Sequence, residues 1–438
     1  MNITRELVRA RGADVTTIIL GAGVIGVTTA WYLAKAGHKV VVVDRQPSAG
    51  LETSFGNGGI IHASEVGPWS QPGIQLKILR WLGKEDAPLL LRWSALPHMW
   101  RWGLEFLANS SASLHRSNTL VNLQLALSSL QALQEIVSET GIAYDRATRG
   151  VIKVYRSPEG LEHAVRTHER LTAHGLRFER LDRNRCIEIE PALADTGPTL
   201  AGGIYFSRDE VGDCNIFTQR LADICSSRGV RFHFNTTVRS LDIVGSRLRG
   251  VTTDKGKMEA DVIVVALGSF SAPLLAKAGI RVPIYPVKGV SISFERGAWN
   301  SAPRVPVIDD HAMFGFVPIG ERLRIAGSAE ITRYDATPSE ERARALIDKA
   351  STAFPQMKRH LDVAKARVWA GLRPVTPSGT PIIDETRIAG LWVNSGHGHL
   401  GWTLACGSGR LIADRICNQG VGAQSGILQS SNRLTTGF

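Results

Sequence analysis

Cysteine is scarce in this 438-residue chain: five residues, Cys186, Cys214, Cys225, Cys406 and Cys417, with no Cys-x-x-Cys pair. An odd count without metal-ligand spacing argues against a disulfide framework and a zinc site. It fits a reducing compartment and thiols that are buried or incidental. No run of about eighteen apolar residues occurs, so no transmembrane helix is expected. Residues 1–14 alternate charged and apolar side chains and have no hydrophobic h-region, so they do not read as a secretory signal. No internal repeat is evident. The formal charge of +11 is compatible with attraction to anionic lipid, steering of an acidic substrate, or solubility. Nucleic acid is the weakest partner class, because the basic residues are dispersed and no binding module accompanies them.

What the chain does have is glycine in informative places. Gly21-Ala22-Gly23-Val24-Ile25-Gly26 closes the apolar run Thr16–Leu20 and opens an Ala-rich helical stretch. Strand, glycine turn and helix N-terminus in this order form a dinucleotide cradle. The first glycine permits the tight turn, the second lets the N–H groups around Val24 and Ile25 approach a pyrophosphate, and the third lets helix and strand pack closely. The next apolar run, Val40–Val43, ends in Asp44 and Arg45, with the carboxylate where ribose hydroxyls would donate to it. Asp44 disfavours NADP but does not separate FAD from NAD.

The chain length predicts two domains. Residues 74–140 read as helices broken by a polar loop near Asn109–Ser113. Strands are expected at 150–157 and 202–206, helices at 159–174 and 214–228, and further strands at 230–235, 239–244 and 249–253. Asp261–Ala266 is nearly all apolar, which places it in a sheet covered on both faces, like the first strands. A strand-rich stretch, 284–331, and a helix near 339–353 precede a C-terminal return to strand, glycine turn and helix. Nucleotide-binding pieces therefore occur at the start, middle and end, and the second domain is inserted between them. The tail from Gly420 reads as poorly ordered.

Two further glycine segments narrow the ligand. Thr53-Ser54-Phe55-Gly56-Asn57-Gly58-Gly59 follows the Asp44 strand where a simple NAD fold would continue into a helix. Asn394-Ser395-Gly396-His397-Gly398-His399-Leu400-Gly401-Trp402-Thr403 follows another apolar strand and leads into a helix, whose N-terminal donors suit the anionic edge of a reduced flavin. No acid or cysteine cluster accompanies these histidines, so no metal is expected.

Together, Gly21-x-Gly23-x-x-Gly26, Leu51-Glu52-Thr53-Ser54, Tyr285-Pro286-Val287-Lys288-Gly289, Gly371-Leu372-Arg373-Pro374 and Gly396-His397-Gly398-x-x-Gly401-Trp402-Thr403 resemble the D-amino-acid oxidase and glycine oxidase superfamily. The likeness is greatest to the bacterial D-amino acid dehydrogenases of the small-subunit type and covers roughly residues 15–418. It implies an α/β fold with a Rossmann-like, glutathione-reductase-like FAD-binding domain (15–75, 211–272, 367–420). An interleaved α+β substrate domain (76–210, 273–366) would be built on a mixed or antiparallel sheet. Residues 1–14 and 421–438 would be terminal extensions. The resemblance also implies FAD, oxidation of an amine-bearing Cα, and delivery of electrons to a membrane quinone or electron-transfer partner.

The same resemblance assigns roles. Arg373 grips the substrate carboxylate bidentately. Tyr285 and Tyr334 offer hydroxyls to the substrate or simply pack. Glu330 contacts the ligand or buttresses Arg373, and Lys288 lies beside the flavin. Val238 meets the adenine through its backbone, and Ala266 and Gly268 pass close to the ADP moiety. Hydride transfer from a neutral amine needs no protein base, so none of His62, His311, His397 and His399 is given that role.

Several departures matter. Gly371 stands where sarcosine oxidases carry the cysteine that binds flavin covalently, so FAD here is expected to be non-covalent. Ser378 replaces an aspartate usual in the dehydrogenases, and the stretch Ile60–Ser64 also departs from their pattern, which leaves the substrate side chain open. Trp69, Trp81, Trp93, Trp100 and Trp102 are interleaved with Lys77, Arg80, Lys84, Arg92 and Arg101. This mixture suits a membrane interface, a helical lid or a contact in a homo- or hetero-oligomer. The expected activity is oxidation of a D-amino acid, with D-proline and cis-4-hydroxy-D-proline among the candidates, in the cytoplasm or peripherally at the inner face of the bacterial membrane. An oxygen-using glycine, sarcosine or D-amino acid oxidase, and a non-catalytic flavin-binding electron-transfer subunit, are the competing readings.

Overall fold

The computed structural model describes residues 15–84, 87–196 and 200–418. The N-terminal extension and the tail from Gly420 lie outside the described residues. The first β-α-β unit forms as its sequence dictates: strand Thr16–Leu20, helix Val24–Lys35 and strand Lys39–Val43. The two strands pair in parallel from Thr16 opposite Lys39 to Leu20 opposite Val43.

Four more strands join them. Val262–Val265 pairs in parallel on the other side of the first strand, followed by Leu391–Ser395 and an antiparallel edge, Ile382–Glu385; Arg231–His233 closes the opposite edge. The central strands are mostly apolar because both faces are buried. Ile19, Val42, Val264 and Trp392 point into one core, and Ile18, Leu20, Val43 and Val265 into another. This is what two-sided burial of a parallel sheet requires.

The C-terminal helix Gly401–Asn418 locks this sheet to the rest of the molecule. It packs between Val24–Lys35 and the 29-residue helix Ala112–Thr140. Gly407 and Gly409 make the double contact possible. A Cβ at Gly407 would stand 2.8 Å from the Ser129 Cβ, and one at Gly409 would stand 2.8 Å from the Thr28 carbonyl carbon. Thr28 Oγ1 donates to the Ala405 carbonyl at 2.9 Å, and the Gly407 N–H donates to Ser129 Oγ at 3.0 Å.

The second large sheet has nine strands. Its order runs from Arg367–Val375 through Tyr285–Glu295, Arg322–Ile331, Phe314–Ile319, Val307–Asp309, Val151–Tyr155 and Gly202–Phe206 to Glu179–Leu181. The ninth strand, Leu89–Leu91, adds in parallel alongside Ala329–Ile331. It lies in a stretch read as helical, and its three leucines are too short a run to reveal a period. Arg367–Val375 falls in the segment 367–420 expected for the FAD-binding domain. It pairs along its whole length with Tyr285–Glu295, so it belongs to the nine-stranded sheet. Backbone pairing decides which sheet a strand joins.

The helices Ile74–Trp81 and Leu96–Ala108 lie against this sheet. Ile74, Met99, Trp102 and Phe106 face inward onto Tyr285, Val287 and Val375. The Trp102 indole N–H donates to the Val375 carbonyl at 3.0 Å.

The glycine turn carries a checkable constraint. A Cβ at Gly26 would fall 1.8 Å from the Gly21 carbonyl oxygen, which no relaxation short of moving the turn removes. Gly26→Ala is expected to destabilise the fold by about 3 kcal/mol. Thermal melting of the purified variant measures this, and an unchanged midpoint would show that the turn is not this tight.

Candidate active site

A cavity of about 560 Å³ runs from the Gly21 turn to the nine-stranded sheet. At one end, Gly21 adopts φ +107°, and a Cβ there would strike the Ala266 carbonyl at 2.6 Å. Only glycine reconciles that backbone with so close a neighbouring strand. Gly23 faces open space, with Ser54 Oγ at 3.5 Å the nearest atom to an added Cβ. The Val24 N–H donates to Ser54 Oγ at 3.1 Å. The helix has no acidic residue in its first turn, so its positive end is turned to the cavity uncompensated.

Asp44 is buried at the tip of its strand. Its two carboxylate oxygens accept the Ala22 N–H at 2.6 Å and the Gln46 N–H at 2.8 Å. Burial raises its pKa, although those N–H donors pull the other way. Arg45 pairs with Glu52 at 2.7 Å and lies 4.1 Å over the Phe270 ring. Val238, Ala266 and Gly268 line the same end.

Thr53, Ser54, Asn57, Gly58, Gly371, His397, Gly398, Gly401 and Trp402 line the middle. The Thr53 hydroxyl donates to the Leu372 carbonyl at 2.9 Å, which ties the turn after the Lys39–Val43 strand to the nine-stranded sheet. Trp369 lies across Gly56 and Gly371: added Cβ atoms there would meet its indole at 2.2 and 2.0 Å. Strand alternation turns Trp369, Gly371 and Arg373 to the cavity together.

Arg373 stands at the far end with Val287 opposite it on the neighbouring strand. Its guanidinium covers Gly289, where any Cβ would sit 2.2 Å from Cζ. Its Nη1 donates to the Ser328 carbonyl at 2.9 Å, and Ser328 adopts a left-handed φ of +58°. Its Cζ is 5.8 Å from the centre of the Trp69 ring. Desolvation lowers its pKa to about 10, so it stays charged at neutral pH. Among the described residues no carboxylate lies within ion-pair distance of it. A sheltered cation with only a carbonyl partner is an anion-binding group.

Four residues expected at the site are elsewhere. Lys288 points to the opposite face of the strand from Val287 and Gly289. There it is buried 3.3 Å from Glu330, 3.4 Å from Asp335 and 3.2 Å from the Thr337 carbonyl. It is therefore a cross-strand partner of Glu330, not a neighbour of the cavity. Glu330 accepts the Arg92 Nε–H at 2.7 Å, so it holds the Leu89–Leu91 segment to the sheet and does not support Arg373. Its other oxygen faces Lys288 at ion-pair distance without hydrogen-bond geometry. Tyr285 is buried under the Leu96–Ala108 helix, 5.7 Å from Trp102, with its hydroxyl unpartnered. Tyr334 packs on Phe270 and its hydroxyl donates to the Ser269 carbonyl at 3.4 Å. Neither phenol lines the cavity.

Gly26, Gly59, Gly396 and Thr403 also lie behind the wall and shape it from there. Gly59 and Gly396 have φ of +86° and +84°, and Thr403 Oγ1 accepts the His62 N–H at 3.2 Å. Sequence reasoning gave no role to His62, Glu65, His399 or Trp369, which line the cavity near Arg373. The alternation that finds Arg373 also finds Trp369, while nothing local signals the other three.

The geometry has parallels among known proteins. Residues 16–415 match the DAO family, FAD dependent oxidoreductase. The chain belongs to this family. It is similar to a D-amino acid dehydrogenase of Paramagnetospirillum magneticum, with 47% identity over 91% of this chain and 94% of that one. A D-amino acid dehydrogenase of Rhizobium johnstonii is 43% identical over 91% and 95% of the two chains. Its fold is like that of glycine oxidase from Bacillus cereus (TM-score 0.71, 21% identity, 93% of this chain and 96% of that one). L-proline dehydrogenase from P. horikoshii is comparably alike (TM-score 0.73, 19% identity, 93% and 94%).

As a member of the family the protein is an FAD-dependent oxidoreductase, and the cavity suits that cofactor. It has a glycine turn at a helix N-terminus, which suits a pyrophosphate, a buried carboxylate that suits a ribose, and glycine-lined walls where side chains would intrude.

Three histidines on the cavity wall are held neutral. Burial lowers His397 to about 3 and His399 and His62 to about 4. A depressed folded-state pKa means that the unfolded chain takes up protons first as pH falls below about 6.5, so this stability is full above that pH and is lost below it. Removing the fully buried His397, whose Nε2 is 3.1 Å from Ser408 Oγ, takes away one such group. His397→Asn is expected to lose about 2 kcal/mol less than the parent between pH 7.5 and 5, read by denaturant unfolding at each pH. Equal losses would show that His397 is not held neutral.

Proposed function

We propose that the protein oxidises a D-amino acid at Cα to the imino acid, which water hydrolyses to the 2-oxo acid and ammonia. A cyclic secondary amine such as D-proline or cis-4-hydroxy-D-proline would give a cyclic imine. Arg373 carries this reading: a desolvated guanidinium with no acidic partner, at the end of a flavin-sized cavity, suits an amino-acid carboxylate. Its bond to the Ser328 carbonyl fixes the plane of the fork, and Gly289 leaves room for it.

Bound FAD supplies the two-electron acceptor that takes the Cα hydride. The Gly21–Ile25 turn, Asp44, Arg45, Val238, Ala266 and Gly268 would hold its ADP half. Thr53, Ser54, Asn57, Gly58, His397, Gly398, Gly401 and Trp402 would hold its ring half. Gly371 has no side chain for a covalent bond, so the cofactor is held non-covalently. The reacting amine is neutral and needs no protein base, which agrees with a wall of neutral histidines. Positioning by Arg373 is what the chain contributes to the rate.

Arg373→Met tests the reading. The variant is expected to retain FAD while substrate binding weakens by about 3 kcal/mol or more, as for removal of one member of a buried charge pair. Anaerobic bleaching of the flavin across a panel of D-amino acids measures this, and unchanged turnover would reject the role of Arg373.

The electron acceptor in this reading is a respiratory quinone, reached from the inner face of the bacterial membrane. The support is a surface. Leu76, Leu79, Trp93, Trp100, Leu104 and Leu107 are each more than 40% exposed on and between the helices Ile74–Trp81 and Leu96–Ala108. Lys77, Arg80 and Lys84 are exposed beside them. Outward apolar side chains with a cationic fringe suit an anionic lipid surface. Among the described residues no helix is long and apolar enough to cross a membrane. The purified protein is expected to sediment with anionic vesicles at low ionic strength and to be released by salt. No binding at low salt, or a stable dimer covering this face, would overturn the membrane assignment.

A further inference from the structure

Beyond Arg373 the cavity wall changes character. His62 and Glu65 line it together with His399. Trp69 connects the two regions: its ring stacks on His399 at 5.2 Å and 11°, and the Arg373 guanidinium lies 5.8 Å from its centre. His399 Nε2 is 3.3 Å from the Glu65 carbonyl oxygen, a contact that requires the proton on Nε2. The polar wall is therefore adjacent to the Arg373 guanidinium, joined to it through Trp69.

Three observations define what this wall accepts. First, His62 Nδ1 is buried and has no hydrogen-bond partner among the described residues, while the His62 N–H is anchored on Thr403 Oγ1. Second, both Glu65 carboxylate oxygens contact Lys153 Nζ, at 2.9 and 3.1 Å, and Lys153 is also 3.0 Å from Asp310. The Glu65 charge is thus matched and its position fixed, yet its oxygens keep lone pairs for a further donor. Third, a second cation brought to Glu65 would face Lys153 directly and Arg373 nearby. A neutral hydroxyl suits all three conditions, because it donates to Glu65 and accepts from, or donates to, His62.

Resting on the reaction proposed above, we infer that His62 and Glu65 form a specificity subsite for a D-amino acid whose side chain carries a hydroxyl group. An apolar side chain would cover the Glu65 oxygens without replacing the hydrogen bonds that water makes to them and would leave His62 Nδ1 unpartnered, and sites built around a substrate hydroxyl reject the analogue that lacks it.

The experiment compares kcat/KM of the FAD-loaded enzyme, with an artificial electron acceptor, for pairs differing by one hydroxyl: D-serine and D-alanine, D-threonine and D-2-aminobutyrate, cis-4-hydroxy-D-proline and D-proline. At least one hydroxylated member is expected to be preferred tenfold or more. Glu65→Gln and His62→Phe are each expected to lower that ratio at least fivefold, mainly through KM of the hydroxylated member. Glu65→Gln leaves Lys153 paired with Asp310, and the flavin spectrum and melting temperature report folding of both variants. Ratios near one in every pair, a preference for D-lysine or D-arginine over all of them, or variants that leave the ratio unmoved would each overturn the subsite. Those outcomes leave the reaction standing. Failure of every D-amino acid to reduce the flavin would overturn the reaction and the subsite together.

Discussion

The close crossing of the helix Gly401–Asn418 over Val24–Lys35 and Ala112–Thr140 is the contact on which the site depends. The cavity wall is drawn from residues near 21, 54, 238, 268, 289, 371 and 398, and no local interaction brings these together. Gly407 and Gly409 let three helix backbones approach at distances that a single methyl would prevent. The helix that begins at Gly401 is thereby fixed to the helix that begins at Val24. Two positive helix termini then face one cavity from two directions, an arrangement that favours an anionic, extended ligand.

The nine-stranded sheet contributes in another way. Its strand Arg367–Val375 presents alternate side chains to the cavity, while the intervening residues help seal the sheet from behind. The same alternation on Tyr285–Glu295 sends Gly289 inward, under the Arg373 guanidinium, and Lys288 outward to Glu330 and Asp335. One face lines the cavity and the other fastens the sheet. Burying Lys288 and Glu330 together, with Arg92 completing the group, keeps each charge partnered where an isolated one would be costly.

The parts legible in the sequence were those whose physics is local. Apolar runs and glycine spacing define the first β-α-β unit because strand period, turn and helix start all act within thirty residues. Arg373 was readable from its motif. Its lack of an acidic partner was not, since that depends on what four other segments leave beside it. Lys288 illustrates the limit differently. Alternation puts it opposite Val287 and Gly289, but which parity faces the cavity is set by the partner strand. His62 and Glu65 were opaque for the same reason: their segment was visibly unusual, yet only the fold places Trp69, His399 and Lys153 around it. Leu89–Leu91 became a strand because an edge was available, not because three leucines prefer one.

The hydrogen bond from the Trp102 indole to the Val375 carbonyl links the outer helices to the strand that carries Arg373 two residues earlier. Trp102 and its neighbours fill the space between them, so helix and strand share one core with no compliant layer in between. The outer face and the Arg373 end of the cavity are therefore joined by direct packing, so a load placed on the outer helices is borne by the strand that carries Arg373.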